Sequence, residues 1–396
     1  MTGFGSHGRG AVSCIGWMNG WMMSDTRVGG ETPDELGARL DDLHQVTAAP
    51  ITARRPWLQA WVDSYPQYSP LSVTVVGAGG QFEAAALLAT IRRRGISRIV
   101  PVGHGPTDEV MFPARTDAAA DLLVEAVVEQ LARIAKPWRL EARQVTSLDR
   151  FVSRLVRRHP RAEIHPGVVS PQLIAGADRS LHAYVSAGHR KNIQRIRNRM
   201  TRHQLEPVVK HLQARDDVIA LLPELERIMH ARDESLGRRS VLDDESERSF
   251  FRRVVERHAG RDEVSLTTLE LSGRLAAFAL CFLDRDAVRM WHTRFDPEWS
   301  RYSAGKLAMD EAVAHALASG CAAFDFMRGE EHYKASYANH SKQASDLYAW
   351  SGSLIKGHSR VVLGLRTAAY RVEARGGRPA AWVAAAKQQV AKVRTP

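Results

Sequence analysis

The sequence predicts an α/β protein, with a mixed central sheet, helices on both faces and two similar halves. Three observations carry that prediction. Residues 264–334 read strand, turn, strand, turn, strand, polar loop, helix, strand, loop. Residues 71–142 repeat that order in outline, with a hairpin closed by a glycine turn, a third strand, a loop, a helix and a strand. Composition is globular, with 44% hydrophobic and 25% charged residues, and no apolar run nears the roughly 20 residues that cross a bilayer.

The elements follow in order. Residues 1–48 lack periodicity and are expected to form a disordered or flexible extension. Their apolar stretch AVSCIGWMNGWMM is broken by Gly and Asn and has no small-residue cleavage site after it, unlike a signal peptide. Pro56 opens a helix over 56–64 that carries Trp57, Leu58 and Trp61 on one side. Strands are expected at 71–76 and 81–91 around Gly77-Ala-Gly-Gly80, then at 96–102. A helix at 118–134, a strand at 138–142 and a helix at 148–159 complete an N-terminal half, 49–164.

The second unit, 165–352, opens with a long helix at 181–203, followed by a strand at 205–211. Helices at 216–231 and 245–258 come next. Strands at 264–271, 274–283 and 287–295 lead through the loop 296–305 into an amphipathic helix at 306–318. Strands at 322–327 and 346–350 precede a basic helical tail, 353–396.

The net charge of +11 is unevenly placed. Residues 188–204 carry Arg190, Lys191, Arg195, Arg197, Arg199 and Arg202 without an acid, and residues 357–396 carry eight basic residues against Glu373 alone. The remainder is slightly acidic, which argues against a protein that coats nucleic acid. The tail interleaves Val361, Leu365, Val372, Trp382 and Val390 with its basic residues, a pattern that suits an anionic membrane surface or a docked C-terminal helix. Cys14, Cys281 and Cys321 are far apart. Buried reduced thiols, a cytoplasmic location and no metal site are expected.

One segment is a ready anion site. The helix after residue 305 opens on small residues directly after a strand, so its first N–H groups point out unpaired and its dipole adds positive charge. Ser303, Ala304 and Gly305 let backbone approach a pyrophosphate, and Arg301 and Lys306 add charge; an ordinary helix start capped by Ser303 is the plainer alternative. Leu307 stands where a P-loop needs Ser or Thr.

Four stretches resemble the acyl-CoA N-acyltransferase (GNAT) superfamily, and within it the BioF2-like or CelD-like acetyltransferases related to the FemABX peptidyltransferases. They are HRKNIQRIRNRM, ELSGRLAAFALCF, FDPEWSRYSAGKLAMDEAV and FDFMRGEEHYKASY. The resemblance implies a GNAT fold built as two GNAT-like halves, with acetyl-CoA or another acyl-CoA as co-substrate and no metal. It implies a pyrophosphate loop at Arg301–Lys306, although the superfamily's Arg/Gln-x-x-Gly-x-Gly/Ala pattern is matched here only with its glycine displaced by one position. It also implies a backbone N–H near Thr293 and Phe295 aimed at the thioester carbonyl, and a thiolate-protonating tyrosine at Tyr333.

The remaining candidates are weighed on their chemistry. His292 has the pKa of a neutral-pH base, or is a buried hydrogen-bonded histidine. Asp325, between Phe324 and Phe326, either accepts the amine proton or forms a salt bridge with Arg328 or Lys334. Glu330 and Glu331 orient or deprotonate the amine, or are simply solvated, and Arg328, Lys334 and Arg195 are candidates for substrate contact.

The expected activity is transfer of an acyl (acetyl) group from acyl-CoA to a primary amine by direct attack. The acceptor is a small molecule, or a polysaccharide or peptide amine. The alternatives are a FemABX-like transferase using aminoacyl-tRNA, with tRNA on the basic helix, and a catalytically degenerate binding module.

Overall fold

The computed structural model describes residues 12–14, 25–329, 331 and 333–357. Glu330 and the tail from 358 onward lie outside the described residues, as does most of 1–24.

The first half begins with β1 (Val12–Cys14) and β2 (Asp25–Gly29), then α1 (Pro33–Val46) and α2 (Arg55–Ser64). Residues 25–46 are therefore an integral strand and helix, not the flexible extension expected. Thr32 accepts from the Glu35 amide while Glu35 reaches back to the Thr32 amide, and Pro33 occupies the first turn. Leu36, Leu40 and Leu43 lie on one face and pack on Phe82 and Ala85. Next come β3 (Ser69–Val76), β4 (Phe82–Arg93), β5 (Ile96–Pro101), α3 (Asp117–Arg133), β6 (Trp138–Val145), α4 (Phe151–Arg158) and β7 (Ala162–Ile174).

The second half runs α5 (Ala187–Arg202), β8 (Val208–Leu212), α6 (Arg215–Ser235), α7 (Glu245–Ala259), β9 (Val264–Leu271), β10 (Arg274–Asp284), β11 (Ala287–Phe295), α8 (Ala304–Ala318), β12 (Ala323–Asp325) and β13 (His340–Trp350). The long helix expected at 181–203 is broken. A single 3-10 turn at Leu181–Ala183 precedes Ser186, whose hydroxyl caps α5 by accepting from the His189 amide. Ile193, Ile196 and Met200 of α5 face the core.

Among the described residues the strands form one mixed sheet, in the order β1-β2-β3-β4-β5-β6-β13-β7-β12-β11-β10-β9-β8. The order is symmetric about its centre. Each side has a meander, then a parallel strand reached through a helix, then an antiparallel strand. The two central strands are exchanged: β7 follows the first half but pairs with β12, and β13 follows the second half but pairs with β6. β7 and β13 pair with each other from Ala162 to Gln172.

The sheet opens at the two matching parallel steps. β5 and β6 pair only from Ser97 to Ile99, and the gap beyond is closed by Val110, whose amide donates to Gln144 O while its carbonyl accepts from the Thr146 amide. β11 and β12 pair only from Ala287 to Arg289. There the strand expected to reach residue 327 stops at Asp325. Asp325 Oδ1 accepts from the Met327 amide (2.8 Å), and Met327 is left-handed (φ 57°). The chain then follows β7, with Phe326 donating to Pro171 O and Gly329 to Val169 O. Met290–Phe295 thus continues past the end of its parallel neighbour, and the split on that side has no counterpart to Val110 among the described residues.

Candidate active site

The edge of β11 exposed by the split follows from strand geometry. Asp296 N–H donates to Ala276 O across β10, and Arg294 pairs with Phe278 in the same register. Backbone groups alternate along an antiparallel strand, so the amides of Thr293 and Phe295 turn away from β10, toward the split. They are about 7 Å apart at the usual rise per residue.

Beside this edge lies a cleft of about 380 Å3. One wall is β11 from Met290 to Arg294. The others come from α6 and α7, from the stretch after β12 (Phe326, Met327, Arg328, Glu331, Tyr333, Lys334), and from Gly105, Pro106 and Asp108 of the first half. Both halves therefore build it.

Tyr333 is one of the expected site residues that lie at the cleft. It borders the cleft, and its hydroxyl bonds to no described residue. Desolvation and the charge of Glu331 push the phenol up to about 12 against the pull of Arg294, so it is protonated at neutral pH. Glu331 also lines the cleft, but its carboxylate is held by Lys334 at 2.8 Å. Lys334 is buried and donates to the carbonyls of Arg328 (2.8 Å) and Met327 (3.3 Å). It ties the loop together rather than reaching for substrate. Arg328 is likewise engaged, with Asp108 (2.6 Å) and Gly105 O (3.2 Å).

Two expectations change on contact with the geometry. His292 lines the cleft, but burial and then the nearby Arg294 lower its pKa to about 3, far from a base poised near neutrality. Asp325 is 1% exposed and faces Arg289 (3.0 Å) instead of Arg328 or Lys334. Its oxygens also accept from Gln172 (2.8 Å) and the Met327 amide, and burial raises its pKa against the pull of Arg289. It is part of a buried ionic web. Arg289 also binds Asp284 (2.6 Å) and Glu109 (2.8 Å), which in turn hold Arg54 and Lys342.

The start of α8 is shaped for close approach, though it does not line the cleft. Ser303 is left-handed (φ 54°) and caps with no side-chain bond, so the amides of Ala304 and Gly305 donate to no described group. Ala304 is fully buried, and a Cβ on Gly305 would sit 2.9 Å from the Phe295 ring. That glycine lets the helix end press against the last residue of β11. The Arg301 guanidinium lies over Tyr302 (4.6 Å), and Arg199 of α5 donates to Arg301 O (2.5 Å). Arg195, Arg199 and Arg202 are exposed, and none of them has a carboxylate partner among the described residues.

Among the cleft residues that sequence reasoning missed are Asp108 and Arg294. Asp108 is buried, and desolvation lifts its pKa to about 6 despite Arg328. Arg294 sits on the strand already singled out, but nothing in its neighbours marked it. Asp108 is 179 positions before the start of β11, so only the fold brings it to the cleft.

Among the described residues no group of three potential metal ligands occurs, and no helix is long and apolar enough to cross a membrane. Cys281 and Cys321 are buried free thiols.

Residues 187–335 match the family described as acetyltransferase (GNAT) domain. The whole fold is similar to that of FemX, at 9% identity and a TM-score of 0.57, covering 81% of this chain and 96% of that one. It is similar also to L-PGS from Bacillus licheniformis (14% identity, TM-score 0.50, 83% and 96% covered). A third likeness is to a conserved protein of unknown function from Bacteroides thetaiotaomicron (12% identity, TM-score 0.51, 82% and 99% covered). No curated protein is a significant match.

Proposed function

We infer that this chain, whose residues 187–335 match the acetyltransferase (GNAT) domain family and whose fold is similar to that of FemX, is an N-acyltransferase that moves an acyl group from acyl-CoA to a primary amine. One observation carries the reading: the unpartnered edge of β11, with the Thr293 and Phe295 amides beside a cleft that holds Tyr333. A thioester carbonyl lying against that edge would find N–H groups for the negative charge that develops on its oxygen. The amine attacks, the carbon–nitrogen bond forms and the carbon–sulfur bond breaks. Asp108 or Glu331 accepts the amine proton, and Tyr333 returns one to the thiolate. The start of α8, with Arg301 and Lys306 beside its two free amides, would take the diphosphate.

A second reading keeps the same chemistry with an aminoacyl-tRNA donor. The exposed arginines of α5 favour it, because none has a carboxylate partner among the described residues and Arg199 reaches Arg301 O just before α8. Charge reversal at Arg195, Arg199 and Arg202 would abolish tRNA binding under that reading and leave acyl-CoA use intact.

The deciding experiment is mass spectrometry of products when the purified protein and acetyl-CoA meet a pooled amine library, with a Tyr333→Phe control. Coenzyme A at a hundred times its dissociation constant should stabilise the fold by about 2.7 kcal/mol. No thermal shift at millimolar coenzyme A would refute the acyl-CoA reading. If Asp108 is the base, kcat/KM rises with pH through an inflection near 6, because the carboxylate must be ionised to accept a proton. Asp108→Asn removes that inflection.

A further inference from the structure

The charges that face the cleft are unevenly matched. Arg328 is held by Asp108 and Lys334 by Glu331. Arg294 has no carboxylate partner among the described residues. Its Nη1 donates to the neighbouring Thr293 carbonyl (2.9 Å), and its Nε is buried with no hydrogen-bond partner among the described residues. The acid that acts on it most is Asp233 on α6, and that carboxylate already accepts from Arg238 through Nε (2.8 Å) and Nη2 (2.6 Å). Arg232 adds a further positive charge, its guanidinium lying over the Phe295 ring at 4.3 Å. Burial of Arg294, with Arg238 and Arg232 near it, disfavours its charged form, so the site gains from an incoming anion. A buried guanidinium left unpaired costs free energy that a bound oxyanion recovers through paired, charge-assisted bonds.

Direction decides which substrate brings the anion. The groups around Arg294 are Arg232 and Asp233 of α6, Arg238 just after it, and Tyr333, and Arg294 lines the cleft, whereas the candidate diphosphate site at the α8 start does not. The donor's phosphates and Arg294 are therefore separate features.

We propose that Arg294 is an acceptor-specificity residue: the amine acylated here carries an oxyanion, a carboxylate or a phosphate, that pairs with the Arg294 guanidinium in the cleft. This rests on the acyltransferase reading above and adds to it that the cleft beside β11 takes the acceptor. A free amino acid and an aminoalkyl phosphate share that chemistry, and matched pairs separate them.

The test compares L-alanine with L-alaninamide, and O-phosphoethanolamine with ethanolamine, as acceptors for the full-length protein with acetyl-CoA. At least one anionic member should exceed its neutral partner in kcat/KM by about ten- to a hundredfold, the range expected for a hydrogen-bonded charge pair. Preference in the alanine pair identifies a carboxylate, and preference in the ethanolamine pair a phosphate. In Arg294→Gln that ratio should fall toward one, and in Arg294→Lys it should be partly kept, with both variants melting near the wild type. Equal use of charged and neutral partners, or an equal loss on both in Arg294→Gln, overturns the proposal. Calorimetric titration of the donor-free protein with alanine and phosphoethanolamine gives an independent readout. Binding lost in Arg294→Gln upholds the anion site even if no amine is acylated, an outcome that sinks the transferase reading alone. If neither compound binds the wild type and no anionic preference appears, the anion site is refuted.

Discussion

Arg289→Ala should destabilise the protein by about 3–5 kcal/mol, measured by urea denaturation followed through tryptophan fluorescence. Arg289 is 9% exposed and joins carboxylates from three places: Glu109 of the first half, Asp284 at the end of β10 and Asp325 at the end of β12. Removing it leaves Asp284 with Arg54 and Glu109 with Lys342, but strips Asp325 of the cation that faces it. The pH dependence gives a second check. Asp325 has a raised folded-state pKa even with Arg289 present, and more so without it. Stability from such a group is complete below its unfolded pKa, near 4, and is lost as pH rises through the folded value. The deficit of the variant should therefore shrink as pH falls toward 4. A loss under 1 kcal/mol, or one independent of pH, would mean that the web contributes little.

The second large effect is on turnover. Tyr333→Phe should lower kcat by about 10²–10⁴-fold, the usual contribution of a positioned proton donor. kcat/KM should fall in parallel, because in the proposed mechanism the hydroxyl acts only as the thiolate leaves. Stability should barely move, since that hydroxyl makes no hydrogen bond to a described residue. Rapid quench with a saturating amine separates the chemical step from product release. An unchanged single-turnover rate would remove Tyr333 from the mechanism.

Much of the architecture was legible because strands and helices have different periods. The runs at 264–295 and 71–102 alternate or stay apolar between glycine turns, and they appear as the two meanders. α1 carries equally clear signals in its sequence. Thr32-Pro33-Asp34-Glu35 is a capping box, and Leu36, Leu40 and Leu43 keep helical spacing behind it. β7 was hidden for a physical reason. Pro166 and Pro171 cannot donate to a ladder, so the segment does not look like a central strand. Gly167 marks how it fits, since a Cβ there would lie 3.1 Å from the Ala344 backbone, beside a register shift. At the site, Tyr333 was readable through its motif. The fates of Asp325 and Lys334 were not, because Arg289 and the carbonyls of Met327 and Arg328 are partners that only folding supplies.

The exchanged central strands limit how this molecule can be taken apart. The stretch that matches the acetyltransferase family, 187–335, contains neither β7 nor β13. Excised alone, it would present the bare flank of β12 to whatever chain came near, an invitation to aggregate. Truncation after β6 would strand the other portion in the same way. Any minimal catalytic fragment must keep both loaned strands, so the two portions are committed to one another from synthesis onward.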